Sequence, residues 1–306
     1  MKRTKTVKKA DLILGSDWHI RESVPVCRTD EEFFVDRLFG KIKFVKELAQ
    51  KHDCPVLHGG DLFHHWKPSP YLLSRTMDVL PEKFYSIYGQ HDLPQHSMKE
   101  KHRSGIHALE TAGALKVLPG AHWGDDPKES SYEIDWFEGK VHEGLEHTNR
   151  KILVWHHMVW QGKRLWPGQT DPSAIAVLKK YKDYDLILTG DNHKAFVESH
   201  KGRILVNPGS LSRQSADQED FLPRVYLYYA NTNTVEPVYI PVANDAVSRA
   251  HIERDEERNG RISAFIEKLD GEWQAGMSFE ANLKEFFSSN KVRESVKEKV
   301  YKAIES

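Results

Sequence analysis

Asp11-Leu-Ile-Leu-Gly-Ser-Asp17-Trp-His19 is the stretch whose reading decides the fold. Its apolar run predicts a short buried strand. Asp17 and His19 then alternate along the emerging chain, so both reach the same space beyond the strand end. Alone, an Asp-x-His triplet is weak evidence, but four further stretches repeat the arrangement. Pro55-Val-Leu-His runs into Gly59-Gly60-Asp61-Leu-Phe-His64, and Lys83-Phe-Tyr-Ser-Ile-Tyr runs into Gly89-Gln90-His91-Asp92. Ile152-Leu-Val-Trp155 ends at His156-His157, and Asp185-Leu-Ile-Leu-Thr ends at Gly190-Asp191-Asn192-His193.

The segments between these strands fix the class. Phe33, Phe34, Leu38, Ile42, Phe44, Val45 and Leu48 fall largely at helical spacing, which predicts a helix within 30–51, and a second helix starts near Ser69. The resulting β-α-β-α-β order predicts a layered α/β fold with functional groups on the loops after the strands. The second half reads as short strands, including Arg203-Ile-Leu-Val, Arg224-Val-Tyr-Leu-Tyr-Tyr and 235–242. Two sheets face to face, with helices outside, accommodate the pattern. After Ala243 the chain turns charged and helical, which sets domains of 1–242 and 243–306. In the second of these, 279–304 reads as a helix pair broken near Ser288. Its Leu283, Phe286, Phe287, Val292, Val296, Val300 and Ile304 form an apolar stripe that covers the core or docks a partner.

A length of 306 residues allows a full core plus an appendage, and a formal net charge of −1 means that any grip on a polyanion comes from local basic patches. Cys27 and Cys54 have neither metal nor disulfide spacing and read as reduced structural thiols. The start of the chain is basic (Lys2, Arg3, Lys5, Lys8, Lys9), a solvated tail or a weak phosphate contact, without the apolar core of a signal peptide. No apolar run approaches membrane-spanning length, so the expected location is cytoplasmic, with no membrane partner.

Each motif carries chemistry. The glycines before Asp61 let the chain turn tightly and bring this carboxylate to the same rim, where it is the candidate bridge between two cations; capping a helix is the bland alternative. Gln90 offers a neutral carbonyl oxygen. His91 can donate a proton to a leaving oxygen, and Asp92 can hold the far nitrogen of His91 and fix its tautomer. His157 should point away from the side that His156 faces, so His156 is the expected ligand. Asp191 and His193 share a face and can address different cations. Asn207-Pro-Gly-Ser210 is a turn that supports the site or contacts substrate, or a plain β-turn. Carboxylate, imidazole and amide donors in this mix suit two hard or borderline divalent cations, a device for in-line attack on phosphorus.

Taken together, the motifs resemble the calcineurin-like metallophosphoesterase superfamily, whose pattern runs D-x-H, GD, GNHD, H and GHxH and closes on N-P-G-S. The resemblance spans roughly residues 11 to 240. Within it, Gly60-Asp-Leu-Phe-His-His-Trp-Lys-Pro-Ser69 resembles the G-D-L-F-H-x-x-x-P-S stretch of SbcD-like DNA repair exonucleases, which work with an SMC-like ATPase on DNA ends. This resemblance implies a four-layer α/β/β/α metallophosphoesterase sandwich with a short C-terminal helical extension. It implies two divalent ions, Mn²⁺ first and Mg²⁺ as the alternative. Asp17, His19, Asp61 and His193 would hold one ion, and Asp61, Gln90, His156 and Asp191 the other. His91 would be the catalytic histidine, joined by Asp92 and by His64 as a further active-site histidine. The implied activity is exonucleolytic hydrolysis of DNA by a two-metal-activated hydroxide, with an SMC-like ATPase and a second copy of the chain as candidate partners.

Two departures fall on the second ion: Gln90 stands where the family has asparagine, and Asp191 where it has histidine. The extra carboxylate favours Mn²⁺ or Mg²⁺ over Zn²⁺. About sixty residues follow the expected sandwich, too few for both a DNA-capping domain and an ATPase-binding region. Trp18, Arg21, His65, Trp66 and Lys67 supply rings and cations near the site for a nucleic acid. The alternatives are a phosphatase or phosphodiesterase acting on small nucleotides, and a non-catalytic DNA-binding subunit with a degenerate second metal site.

Overall fold

Leu12–Gly15 forms the first strand, β1, in the computed structural model, which describes residues 8–118, 134–136, 150–243, 246–272 and 279–304. Strands β2 (Val56–His58), β3 (Phe84–Ser86) and β4 (Lys116–Val117) follow it in parallel order. The chain then crosses to a second sheet made of β5 (Ile134–Trp136), β6 (Arg150–Trp155), β7 (Leu186–Thr189), β8 (Phe196–His200) and β9 (Arg203–Asn207). There β6, β7 and β9 are parallel neighbours, flanked by antiparallel β5 and β8. Finally β10 (Arg224–Tyr229) and β11 (Thr234–Tyr239) return to the first sheet as an antiparallel pair beside β1.

Strand alternation builds the layers. Ile13, Val56, Phe84 and Val225 face one way, onto Leu38, Ile42 and Val45 of α1 (Phe34–His52) and Leu72 of α2 (Pro70–Val79). Leu12, Leu14, Leu57, Tyr226 and Tyr228 face the other way and meet Ile152, Val154, Leu186, Leu188 and Val206 of the second sheet. That sheet's far face, with Leu153, Trp155, Ile187 and Leu205, packs on Val177 and Leu178 of α4 (Ala174–Lys180); α3 (Gly105–Thr111) lies earlier in the chain. Helix, sheet, sheet and helix therefore stack in that order, the expected four-layer α/β sandwich.

Local detail follows from capping and turn chemistry. The Ser69 hydroxyl accepts from the Leu72 N–H and caps α2, with Pro70 in the first turn. The first predicted helix is split, because Glu31–Phe33 forms a 3-10 turn before α1. The last strand stops at Tyr239, short of Val242. The short α3 and α4 and the edge strand β8 were not legible as separate elements.

By chain contacts the molecule divides into Met1–Ser248 and Arg249–Ser306. A bridge between Arg28 and Val247, and a hydrogen bond from the Ser248 N–H to the Cys27 carbonyl, tie the end of the first unit into it. The second unit holds α5 (Ala250–Glu272), α6 (Phe279–Ser289) and α7 (Glu294–Ile304). Leu283, Phe286 and Phe287 are buried there against Val292, Val300 and Tyr301, whereas Val296 is exposed. Both cysteines are buried and free. Among the described residues no helix is long and apolar enough to cross a membrane. Lys2, Arg3 and Lys5 of the basic start lie outside the described residues.

Candidate metal centre

The motif loops are stitched to one another by their own backbone. Gly59 N–H donates to the Gly15 carbonyl, Asp17 N–H to the Gly60 carbonyl, and His91 N–H to Asp61 Oδ1. Asp191 N–H donates to Asp17 Oδ1, which brings the second sheet's loop onto the first sheet's. Asp17, His19, Asp61 and Asp191 all have left-handed φ values, between 44° and 70°. Such strain in non-glycine residues persists where the surroundings enforce it, and it concentrates at functional sites. Gly60 has φ of 95°, and a Cβ there would lie 2.7 Å from His156 Nδ1. At Gly89 a Cβ would overlap the Asp61 carboxylate. Gly60 needs glycine for both conformation and close approach, and Gly89, whose backbone is extended, for close approach alone.

The donor atoms converge. His19 Nε2 and His193 Nε2 lie 3.1 Å apart, and each is 3.9 Å from Asp17 Oδ1. Asp61 Oδ2 is 3.6 Å from His19 Nε2 and 3.4 Å from His156 Nε2. The latter is an ion-pair distance that is not aligned as a hydrogen bond. Gln90 and Asp191 meet directly, the glutamine amide donating to Asp191 Oδ1. Every residue expected to hold an ion is therefore brought to this one place.

These residues fit divalent cations. Ligands about 2.1 Å from one ion sit roughly 3 to 4 Å from each other, the spacing found here. Asp17 Oδ2, Asp61 Oδ2 and His156 Nε2 are buried without a hydrogen-bond partner among the described residues, and Asp17, Asp61 and His156 form one of the clusters able to hold an ion. Buried polar atoms are rarely left so, and a cation satisfies all three. The electrostatics agree. Burial raises the Asp17 carboxyl, with Asp61 adding to the effect. Burial opposes ionisation of Asp61, but His156, His19 and His91 hold it well below the usual carboxylate range. His156 moves up to about 10, its burial outweighed by Asp61, Asp17 and Asp191. Burial pushes His19 well down, in the direction of the neutral imidazole that metals require.

His64 and His91 stand beside this cluster. Their rings stack with centroids 5.3 Å apart, and His91 Nδ1 lies 2.9 Å from the His64 carbonyl oxygen. His91 Nε2 is left 4.0 Å from Asp61 Oδ2. Burial, then Arg21 and His91, push His64 down to about 4.

Asp92 requires a correction. It does not hold His91: its carboxylate accepts from the backbone N–H groups of Leu62, Phe63 and Gly89, and the His64 carbonyl has taken the position at His91 Nδ1. Burial, with Asp61 adding to it, raises Asp92 to about 7. Trp18 is likewise not a rim residue. It is 1% exposed and packs edge-on against His58 and Phe84 in the core. His157 turns away as expected and stacks on the Trp155 ring at 4.2 Å.

Three polar residues hold the last loop and were given no role from sequence, or an ambiguous one. Asn207, fully buried, donates to the carbonyls of Asn192 and Lys194 and accepts from Thr189 Oγ1. Asn192 donates to the Val159 carbonyl. The Asn207 turn thus supports the site. The available signal was a polar residue closing an otherwise apolar strand, at Thr189 and at Asn207.

Two stacked sheets that gather imidazoles and carboxylates on the loops after their strands define a metallophosphoesterase-type sandwich. The family model described as the calcineurin-like phosphoesterase superfamily domain matches residues 11–227, and the chain belongs to that superfamily. No curated protein matches it. Among solved structures the chain is similar to a phosphodiesterase described as novel and archaeal, with 12% identity and a TM-score of 0.40, covering 75% of this chain and 99% of that one. It is also similar to vacuolar protein sorting 29 from Cryptosporidium parvum, with 16% identity and a TM-score of 0.36, covering 76% of this chain and 97% of that one. A predicted phosphoesterase from Streptococcus pneumoniae gives 13% identity and a TM-score of 0.32, covering 76% of this chain and 99% of that one.

Proposed function

We propose that this chain is a Mn²⁺-dependent DNA nuclease of the SbcD-like type, acting as an exonuclease. The observation that carries the reading is the seating of His64 and His91 beside the carboxylate–imidazole cluster, with His91 Nε2 free to face a substrate. Asp17, His19, Asp61 and His193 would hold one divalent ion, and Asp61, Gln90, His156 and Asp191 a second. Bound there, such ions supply Lewis acidity toward phosphoryl oxygens and activate water at neutral pH. The chain's own contribution is alignment and proton handling. The His64 carbonyl accepts from Nδ1–H of His91 and so aims Nε2 outward, where the doubly protonated ring can pass its Nε2 proton to the leaving oxygen and return to the neutral Nδ1–H form. Arg21, His65, Lys67 and Trp66 flank the His64 loop, and the Arg103 guanidinium lies 5.4 Å over the Trp66 ring, a basic and aromatic rim suited to nucleic acid.

One observation favours a second reading, in which a single ion is held and the protein binds DNA without cutting it. The Gln90 amide and the Asp191 carboxylate, both expected on the second ion, engage each other.

End-labelled linear DNA incubated with Mn²⁺ tests the proposal, with wild type compared to His91→Ala. The expected result is progressive degradation that the variant loses by about a hundredfold or more. Intact DNA in the presence of wild type, with bis(p-nitrophenyl) phosphate still hydrolysed, would move the substrate to small phosphodiesters. One bound Mn²⁺ per chain by calorimetry, with neither substrate cleaved, would select the non-catalytic reading.

A further inference from the structure

A second cluster of charge lies outside the metal centre. Arg28, Lys41 and Arg213 are 7%, 8% and 6% exposed, and together with Arg37 and Lys43 they line a concavity of about 570 Å³. Its remaining walls include Phe44, Pro241 and Val242. Among the described residues the counter-charge is small. Asp30 serves both Arg28, through Nε at 2.8 Å and Nη2 at 2.6 Å, and Arg37, through Nη1 at 2.6 Å. Lys41 Nζ meets neutral oxygens, the Leu211 carbonyl at 3.1 Å and Ser212 Oγ at 3.2 Å. Arg213 Nε donates to the Phe221 carbonyl, also neutral. Glu47 is the one acidic residue among the described lining residues. Burial, then Arg28 and Arg213, push the Lys41 ammonium down to about 7 against the pull of Asp30.

Buried cations that outnumber their carboxylates are costly unless one gives up its proton or an anion completes the cluster, and Arg28 and Arg213 cannot give theirs up. We propose that this concavity is a binding site for a mononucleotide, with the phosphate on Arg28, Arg37, Lys41 and Arg213 and the base against Phe44 and Val242. Its volume lies within the range of small-ligand pockets and far exceeds what phosphate alone fills. Cations sunk this deep are reachable by a single phosphate entering the cavity, whereas the phosphates of a duplex would meet the exposed Arg37 and Lys43 alone.

Calorimetric titration of dAMP, deoxyadenosine and inorganic phosphate into the full chain tests this, with EDTA present so that the metal centre holds no ion. Arg37→Gln/Lys43→Gln, which alters exposed side chains, serves as the main variant, and Lys41→Met as the buried one. We expect one dAMP per chain. Deoxyadenosine should bind about tenfold or more weakly, as loss of charge-assisted contacts dictates. The double variant should lose about tenfold in dAMP affinity while remaining folded, its Tm lowered only by the loss of the Arg37–Asp30 pair. Equal dAMP binding by wild type and the double variant, or no binding by wild type, overturns the site. Inorganic phosphate bound as tightly as dAMP overturns the nucleotide assignment.

Discussion

Asp92 gathers three backbone N–H groups, those of Leu62, Phe63 and Gly89, around one buried carboxylate. It thereby ties the loop carrying Asp61 to the loop carrying His91. Removing it strands these donors, each costing roughly 1–3 kcal/mol when buried without a partner. Asp92→Ala is therefore expected to destabilise the chain by ~3 kcal/mol or more, read as a shift in urea midpoint at constant slope. Asp92→Asn keeps the shape and an acceptor, so it should retain most activity on bis(p-nitrophenyl) phosphate. If Asp92→Asn lost as much activity as His91→Ala, Asp92 would have to act through His91 after all. The residue type and position were legible in Gly89-Gln90-His91-Asp92. Its partners were not, because a carboxylate beside a histidine can serve the ring or the backbone equally well.

At the scale of elements, the Asp30 carboxylate joins the chain entering α1 to Arg37 within α1 and to Arg28 before it. Burial alone would raise Asp30, but the hydrogen bonds and charges of Arg28 and Arg37 prevail and lower it. A carboxyl lowered in the folded state binds fewer protons there than in the unfolded chain. Its contribution is thus present above the unfolded value, about 3.9, and is lost as pH falls through the folded one. Wild type should lose stability on acidification below about pH 4, and Asp30→Asn should start lower at pH 7 and fall less steeply. Urea midpoints at pH 7 and in acid measure both; parallel curves would refute the linkage. Long, periodic α1 and the apolar strands were legible because their spacing is local. Short α3 and α4 and the half-buried edge strand β8 carry too few turns or too little alternation to stand out.

For the whole molecule, the candidate ion ligands, His64 and His91 all fall within Met1–Ser248, whereas Arg249–Ser306 has its own small cluster around Leu283, Phe286 and Phe287. A chain ended after Ser248 is expected to fold, bind Mn²⁺ and hydrolyse bis(p-nitrophenyl) phosphate at a rate within about threefold of the full chain, since it keeps every candidate ligand, His64 and His91. An insoluble product, or loss of Mn²⁺ binding by calorimetry, would show that the helical unit is required for the sandwich to form. If DNA cleavage fell while small-ester hydrolysis held, the helices would be assigned to substrate or partner engagement.

By itself the sequence determined the layered α/β class and the ion-binding character of the motifs, because apolar alternation marks strands and the residues just past a strand end must emerge together. It also determined the donor types, carboxylate, imidazole and amide, including the departures at Gln90 and Asp191. The tertiary structure alone decided which side chains meet across the two sheets, and it decided the left-handed backbone at Asp17, His19, Asp61 and Asp191. It also brought Arg213, far along the chain, to Arg28 and Lys41 around one concavity. The reason is physical: periodicity encodes what a segment buries, whereas convergence of distant residues depends on strand register and sheet packing, where a shift of one residue reverses every side chain.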